Sequence, residues 1–117
     1  MNIEEFREYC LAKKGVTEEF PFDEDTLVFK VMGKMFALTN VDYFISVNLK
    51  CDPGRAVVLR DSYTAISPGF HMNKRHWNTV KIDGTITDSF IRELIDHSYD
   101  MVVQKLPKSI KVQLYGV

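Results

Sequence analysis

A chain of 117 residues, 45% apolar and 26% charged, has the length and composition of one globular domain, which excludes wholesale disorder. Its formal net charge of −1 excludes a strongly basic nucleic-acid coat, and no apolar run approaches the roughly 18 residues of a membrane span. The acidic N-terminal stretch lacks the basic-then-apolar order of a secretory signal, so we expect a cytoplasmic protein without a membrane partner.

The first predicted element is a helix over residues 3–14. Its apolar residues recur at helical spacing and give it one apolar face. Asn2 and Glu5 have the spacing of a capping box, in which each side chain bonds to the other residue's backbone N–H. Gly15 is a natural C-terminal stop, so the helix is expected to end just before it.

Three strands are predicted to follow. Residues 27–31 and 35–39 flank a turn in which Gly33 supplies the special backbone angle of a hairpin. Residues 43–50 alternate as a third strand, and a short second turn joins it to the hairpin. The three strands therefore predict an antiparallel meander, and the apolar side of the third is made of Tyr43, Ile45, Val47 and Leu49.

Two helices are predicted in the second half of the chain. The first covers residues 52–62, because Asp52 can cap it and a proline fits its first position. The second covers residues 88–105, capped by Thr87, and carries a broad apolar stripe at the helical period until Pro107 ends it. The expected buried side of the first is Ala56, Val57 and Leu59.

The order of elements predicts the fold class. Residues 77–82 are the best strand between the two later helices, and the order is α-β-β-β-α-β-β-α. Elements that are apolar on one face only suggest two layers, so we expect a single α+β domain over 1–117, a two-layer α/β sandwich with a mostly antiparallel sheet. The structure of the tail is left open, although three residues have strand spacing: Ile110, Val112 and Leu114.

Sequence motifs for catalysis are missing. The chain has no glycine-rich phosphate loop, no H-E-x-x-H and no G-x-S-x-G. Cys10 and Cys51 lie far apart and outside any C-x-x-C, which predicts buried or half-buried thiols. His71 and His76 have no carboxylate between them, so a metal site would need further ligands from elsewhere. We therefore expect no enzyme activity, no cofactor and no metal.

One segment has the composition of a nucleic-acid contact. No acid occurs between Ser62 and Ile82, whereas cations, histidines, asparagines and aromatic residues are all present there. Lys and Arg neutralise phosphates, Asn pairs with base edges, and His and Trp stack on unpaired bases. The candidate contact residues are His71, Asn73, Lys74, Arg75, His76, Trp77 and Asn78, joined by Lys30, Lys34 and Lys81 if they share that face.

The same segment has a structural interpretation. Trp77 is a large apolar group that more often belongs to a core, and Asn73 can tighten a loop. Lys74 and Arg75 can form an exposed turn. Under this interpretation the segment is a rigid connector between the sheet and the long helix.

A series of short motifs occurs in a fixed order along the chain: Phe20-Pro21-Phe22, Phe29-Lys30-Val31, Gly33-Lys34-Met35-Phe36-Ala37, Pro68 to Asn78, Asp83-Gly84, Ser98-Tyr99 and Leu106-Pro107. Through these motifs the chain resembles the MmcQ/YjbR family of small bacterial proteins over nearly its whole length. That resemblance implies an α/β sandwich with a double-wing arrangement, similar to the type III secretion chaperone-like fold, and a DNA-binding role inferred from fold similarity. Asp23 stands where a glycine is expected in this family, so that turn is expected to be built differently.

Three functional hypotheses stay open at this point. The leading one is a non-catalytic DNA-binding or accessory regulatory protein that contacts nucleic acid through the 70–78 loop. The alternative is a protein-interaction module, chaperone-like or dimerising, whose signature would be an exposed apolar patch. The weakest is a small-molecule or metal site lined by His71, His76 and Trp77.

Overall fold

Six antiparallel strands form one open sheet in the computed structural model, which describes residues 1–116. Four helices accompany the sheet within those residues. In chain order the elements are α1 (Ile3–Leu11), β1 (Val16–Glu19), β2 (Thr26–Val31), β3 (Lys34–Asn40), β4 (Ser46–Lys50), α2 (Pro53–Ser62), β5 (Ile66–Pro68), β6 (Trp77–Lys81), α3 (Asp88–Gln104) and α4 (Lys108–Tyr115).

The strands lie in the order β1-β2-β3-β4-β6-β5, and every neighbouring pair is antiparallel. The predicted hairpin between β2 and β3 is confirmed. Met32 and Gly33 both have positive φ, 49° and 83°, which is the turn geometry that matches the twist of a two-residue hairpin. A register shift between Phe29 and Lys30 then sets which residues of β2 and β3 share a face.

Helices α1, α2 and α3 pack on one face of the sheet, because their buried residues belong to one core cluster with the inward residues of the strands. Phe6 of α1 lies edge-on to Phe29 of β2, with ring centroids 5.6 Å apart. Ile91 and Ile95 of α3 are fully buried against β2, β3 and β4. The two-layer α+β class, the antiparallel sheet and the predicted succession of elements are confirmed.

Ser98 fastens α3 to the sheet at a buried point. Its hydroxyl accepts a hydrogen bond from the Lys50 N–H at 2.8 Å and donates one to the Phe36 carbonyl at 2.5 Å. The side chain has no solvent exposure. One buried hydroxyl therefore satisfies a backbone donor at the end of β4 and a backbone acceptor in β3.

We expect Ser98→Ala to lower the free energy of unfolding by about 1–3 kcal/mol, because it strands a buried N–H and C=O without partners. Ser62→Ala is the matched control. The Ser62 hydroxyl also bonds to a backbone carbonyl, that of Val58, but on an exposed helix surface, so its loss should cost less than about 0.5 kcal/mol. Urea unfolding measures both, and equal costs for the two variants would contradict this role of Ser98.

Two short elements were not expected from the sequence. β1 is an acidic strand whose charges are neutralised: Arg7 forms a two-bond ion pair with Glu18, and Lys30 pairs with Glu19. α4 forms in the tail, where the apolar residues also have strand spacing. Leu114 is buried and Val112 exposed, which helical spacing allows.

Three sequence expectations were wrong at the level of single residues. α1 ends at Leu11 rather than at residue 14, because Ala12 already caps it. Val57 is exposed, so the buried side of α2 is Ala56 and Leu59. β4 begins at Ser46, and Tyr43 and Ile45 lie outside the core instead of continuing its apolar side.

Candidate binding groove on the open face of the sheet

The face of the sheet opposite the helices carries a second, smaller apolar cluster. Cross-strand partners share a face, so Val28 and Leu38 lie together, as do Lys50 and Trp77. Val28, Leu38 and Trp77 form this cluster, and Met35 and Met72 pack against it. No helix of residues 1–116 contributes to this cluster.

A groove of about 990 Å³ runs over this cluster. Its floor is Met35, Leu38, Met72 and Trp77, and three separate segments of the chain supply its rim. Large apolar side chains that would normally avoid water stand on the rim, each between 65% and 72% exposed: Phe22, Tyr43, Ile45 and Phe70.

Side-chain hydrogen bonds hold the rim segment that precedes β2. Asp23 accepts from the N–H of Asp25 at 2.9 Å and of Thr26 at 2.6 Å, and the Thr26 hydroxyl donates to it at 3.1 Å. These donors, with the Thr26 N–H first, lower the pKa of the Asp23 carboxyl. The expected departure at Asp23 is therefore a carboxylate-capped turn, and it places Phe22 beside the groove.

The rim segment between β3 and β4 is built in the same way. Asn40 Oδ1 accepts from the N–H groups of Asp42 and Tyr43, both at 2.9 Å. This asparagine turn projects Tyr43 and Ile45 over the groove. Asp42 also lies beside Asp25, and the hydrogen bond and charge of Asp42 raise the pKa of the Asp25 carboxyl. This end of the groove is therefore acidic.

The loop between β5 and β6 supplies the third rim segment. The Phe70 N–H donates to Thr79 Oγ1 at 2.9 Å, and the Phe70 carbonyl accepts from Asn48 Nδ2 at 3.3 Å. The Thr79 hydroxyl in turn donates to Asn48 Oδ1 at 2.5 Å. These bonds tie the loop to β4 and β6, and the Phe70 ring lies 4.0 Å from the ring of His71, which has a φ of 59°.

The structure does not present the predicted nucleic-acid segment as one outward surface. Trp77 is only 6% exposed and forms the groove floor, and Asn78 is 2% exposed. Asn78 Oδ1 accepts from Arg60 Nε at 2.7 Å, on the side of the sheet that faces α2. Stacking on a base or pairing with one requires an exposed side chain, and neither residue is exposed. Trp77 is buried, as the structural interpretation of this segment expected.

The loop cations and Asn73 largely serve the loop itself. Lys74 Nζ donates to the Gly69 carbonyl at 2.9 Å, so its charge folds back on the backbone. Asn73 Oδ1 accepts from the N–H groups of Arg75 and His76 at 2.9 and 3.2 Å, which is the loop-tightening role. Arg75 and His71 are exposed.

The three remaining predicted lysines are dispersed over the sheet. Lys30 is half-buried and neutralised by Glu19. Lys81 lies opposite Ser46, at the far end of β6 from Trp77. Lys34 alone comes near the segment, in a cavity that it shares with Trp77. By strand alternation Lys81 shares the open face with Trp77, but it lies four residues away, whereas Lys34 pairs with Val31 of the helix-side core. The condition that all three lysines share one face with residues 71–78 is therefore not met.

A basic cavity that the sequence did not predict lies at the Trp77 end of the groove. It has a volume of about 370 Å³ and is lined by Lys34, Lys50 and Lys105 together with Met35, Trp77, Val102 and Leu106. Burial first, and then the charges of Lys105 and Lys34, lower the pKa of Lys50. No linear spacing could have found it, because the lysines come from β3, β4 and the end of α3.

No cluster of three or more His, Cys, Asp or Glu side chains suited to a metal ion occurs in residues 1–116, so His71 and His76 gain no further ligands there. Cys10 and Cys51 are buried free thiols, as expected. Across the same residues, every helix is too short or too polar to cross a bilayer.

The family model named YjbR matches residues 11–101. The chain belongs to the YjbR family. It is 38% identical over 109 residues to the protein YjbR of Escherichia coli K12, covering 92% of each chain. It is 31% identical over 75 residues to YyaQ of Bacillus subtilis, covering 64% of this chain and 63% of that one.

Solved structures of similar proteins have the same fold. The crystal structure of Deinococcus radiodurans DR2400, a DUF419-domain protein, is 38% identical with a TM-score of 0.90, over 97% of this chain and 87% of that one. A Pseudomonas syringae protein is 29% identical with a TM-score of 0.73, over 86% and 98%. The names of these relatives specify neither a ligand nor a reaction.

Proposed function

We propose that this YjbR-family protein binds an apolar segment of a partner protein in the groove on the open face of its sheet. The observation that carries the proposal is the rim, where Phe22, Tyr43, Ile45 and Phe70 stand mostly exposed around one depression. Exposed apolar side chains are common singly, but contiguous patches mark interaction sites. This is the protein-interaction alternative, supported by its expected signature.

The size of the groove fits a short extended peptide. It spans the length of β3, whose seven residues measure about 20 Å at ~3.3 Å per residue, so about six residues of an extended chain would fill it. Its volume of about 990 Å³ lies at the upper end of the roughly 300–1,000 Å³ of small-molecule pockets. A peptide therefore suits it better than a compact metabolite does.

The lining favours apolar side chains over phosphates. No lysine or arginine lines the groove, and its ionisable groups are Asp23, His71 and the Tyr43 phenol. Met35 and Met72 are flexible and polarisable, which suits surfaces that adapt to varied apolar side chains. Asn48 and Asn73 add a few polar contacts that could orient a backbone.

The proposed role is binding without catalysis. A nucleophilic thiol needs a lowered pKa and access to substrate. Burial does the opposite here, since it raises the pKa of the Cys10 thiol to about 12 and also raises that of Cys51. Both thiols stay protonated and out of reach at neutral pH, which supports a binding role.

The proposal is tested by fluorescence polarisation with fluorescein-labelled hexapeptides that carry Leu, Val or Phe at alternate positions. We expect binding in the micromolar range, typical of a short peptide in a shallow groove. The same peptides with Ser at the apolar positions are the control and should not bind. Equal binding of apolar and serine peptides, or none by either, would contradict the proposal.

A second copy of this chain is the competing occupant of the groove. Light scattering over a range of protein concentrations separates the two cases. A monomer throughout is the expected result. A dimer that the Tyr43→Ser variant returns to monomer would show that a second copy fills the groove.

Nucleic-acid binding is the second candidate function, and one observation favours it. Arg75 and the cavity lysines Lys34, Lys50 and Lys105 form no ion pair with a carboxylate in the described part of the chain. Exposed, unpaired cations are what phosphate contacts need. The DNA-binding and double-wing properties implied by the family resemblance stay predictions.

If nucleic acid is bound, Arg75→Gln should weaken binding to all sequences alike and reduce the slope of log affinity against log salt by about 1. Arg75 is a cleaner choice than Lys74, whose loss would also remove the bond to the Gly69 carbonyl. Arg92→Gln, on the helix side over the Tyr9 ring, is the control. Anisotropy at low salt with duplex DNA, single-stranded DNA and RNA measures this, and no binding to any of them removes the hypothesis.

A further inference from the structure

The cavity at the Trp77 end of the groove has the chemistry of an anion site. Lys34, Lys50 and Lys105 line one space of about 370 Å³ whose other walls are apolar. None of the three forms an ion pair within residues 1–116. Three like charges around one cavity repel each other, so a bound anion would relieve a cost that the folded protein carries.

His76 adds an unsatisfied group beside the lysines. Its Nδ1 is buried and has no hydrogen-bond partner among the described residues. Desolvation, followed by the charges of Lys105, Lys50 and Arg75, lowers the pKa of His76, which places this ring next to the same cations. An unpaired buried nitrogen is costly, but His76 does not line the cavity and is a neighbour of the lysines rather than a contact for the anion.

The basic cavity lined by the three lysines adjoins the groove. Met35 and Trp77 line both, so a chain that lies in the groove reaches the lysines at its end. The strand register places Lys50 beside Trp77 on the open face, whereas Lys34 pairs with Val31 and lines the cavity from the first position of β3. The opposite end of β3 leads to Asn40 and the acidic turns.

We propose that this lysine cavity binds the free C-terminal carboxylate of the partner, so that the groove recognises the apolar end of a chain rather than an internal segment. This inference rests on the proposed peptide-binding function. The carboxylate would accept hydrogen bonds from Lys50 and Lys105, and the preceding residues would run over Leu38 toward Tyr43.

Charge complementarity selects this occupant and its direction. The far end of the groove carries Asp23, and Asp25 and Asp42 lie next to it. A chain with one negative terminus is attracted at the lysine end and not repelled at the acidic end. A polyanion such as a nucleic acid would meet these carboxylates along the same path, which makes it the poorer match.

The test compares hexapeptides that end in a free carboxylate with the same peptides ending in an amide. We expect the acid form to bind about tenfold more tightly, because a hydrogen bond to a charged group contributes more than one to a neutral group. The double variant Lys50→Gln with Lys105→Gln should erase this difference while the amide peptide keeps its affinity. Lys81→Gln, at the acidic end, is the control and should retain the preference.

Failure of the anchor and failure of the groove can be told apart. If acid and amide peptides bind equally, the lysine cavity does not bind the C-terminal carboxylate, but peptide binding in the groove is supported. If neither binds, the groove fails, and an NMR titration with acetate alone decides the anchor. Saturable shifts at residues 34, 50, 76 and 105 that vanish in the double variant support it, whereas no shifts, or shifts with inorganic phosphate only, overturn it.

Discussion

Replacing Tyr43 and Phe70 together by serine is expected to weaken peptide binding about a hundredfold, with little change in stability. Each side chain stands mostly exposed on the groove rim. Truncation of an aromatic interface residue typically costs about 1–2 kcal/mol or more, and these two lie on different rim segments. Because neither belongs to the core, unfolding should change by less than about 0.5 kcal/mol.

The control for this variant is Val57→Ser together with Val58→Ser. These valines are also large, apolar and exposed, at 52% and 62%, but they lie on α2 and do not line the groove. Polarisation assays on both double variants therefore separate the groove from general surface hydrophobicity. An equal loss of binding in the two variants would contradict the assignment of the site.

Gly69→Ala is expected to lower the free energy of unfolding by about 2–3 kcal/mol, typical of overpacking. A Cβ on residue 69 would lie 2.7 Å from Trp77 Cβ and 3.0 Å from the Trp77 carbonyl oxygen. These atoms belong to the start of β6 and cannot rotate away. The Gly69 N–H also donates to that carbonyl at 2.8 Å, so any shift weakens the bond that closes the loop.

Gly54→Ala is the matched control for this substitution. A Cβ there would meet only Asp52 Oδ2 at 3.4 Å, and the position is in the first turn of α2. Alanine should therefore be neutral or stabilise by up to about 1 kcal/mol through helix propensity. Thermal or urea unfolding gives both values, and a neutral Gly69→Ala would show that the loop is not packed against β6.

The sequence predicted the fold well where local signals and burial agree. The capping box of Asn2 and Glu5, the turn at Gly33 and the stripe of α3 each appear in the structure, since local chemistry and core packing favour the same state. In the tail, by contrast, the local spacing was compatible with two structures. Ile110 and Leu114 are four apart as well as in strand phase, and packing of Leu114 against the core selected the helix.

The candidate groove was harder to predict. Tyr43 and Ile45 continue the alternation of β4, so the pattern placed them in the core, but the Asn40 turn delays the strand and leaves them on the rim. Phe22 was identified only in a family motif, and Phe70 only in such a motif and in the 70–78 loop predicted to contact nucleic acid. Their convergence depends on three loops meeting over one sheet face, which no local pattern encodes.

The basic segment shows how composition can mislead about a surface. Residues 71–78 lack acids, which favoured a cationic face, yet backbone alternation turns Trp77 toward the open face and Asn78 toward α2. The lysines that do cluster come from distant positions, 34, 50 and 105. Such a cavity depends on strand register and on where α3 ends.

The most direct test of the central claim maps the bound peptide by NMR. Titration of the isotopically labelled protein with an apolar hexapeptide should shift backbone amides around residues 22, 38, 43, 48, 70 and 72. Amides of the helix layer, such as those of α1 and the exposed face of α2, should stay in place. Shifts concentrated on the helix layer, or spread evenly over the protein, would contradict a binding groove on the open face of the sheet.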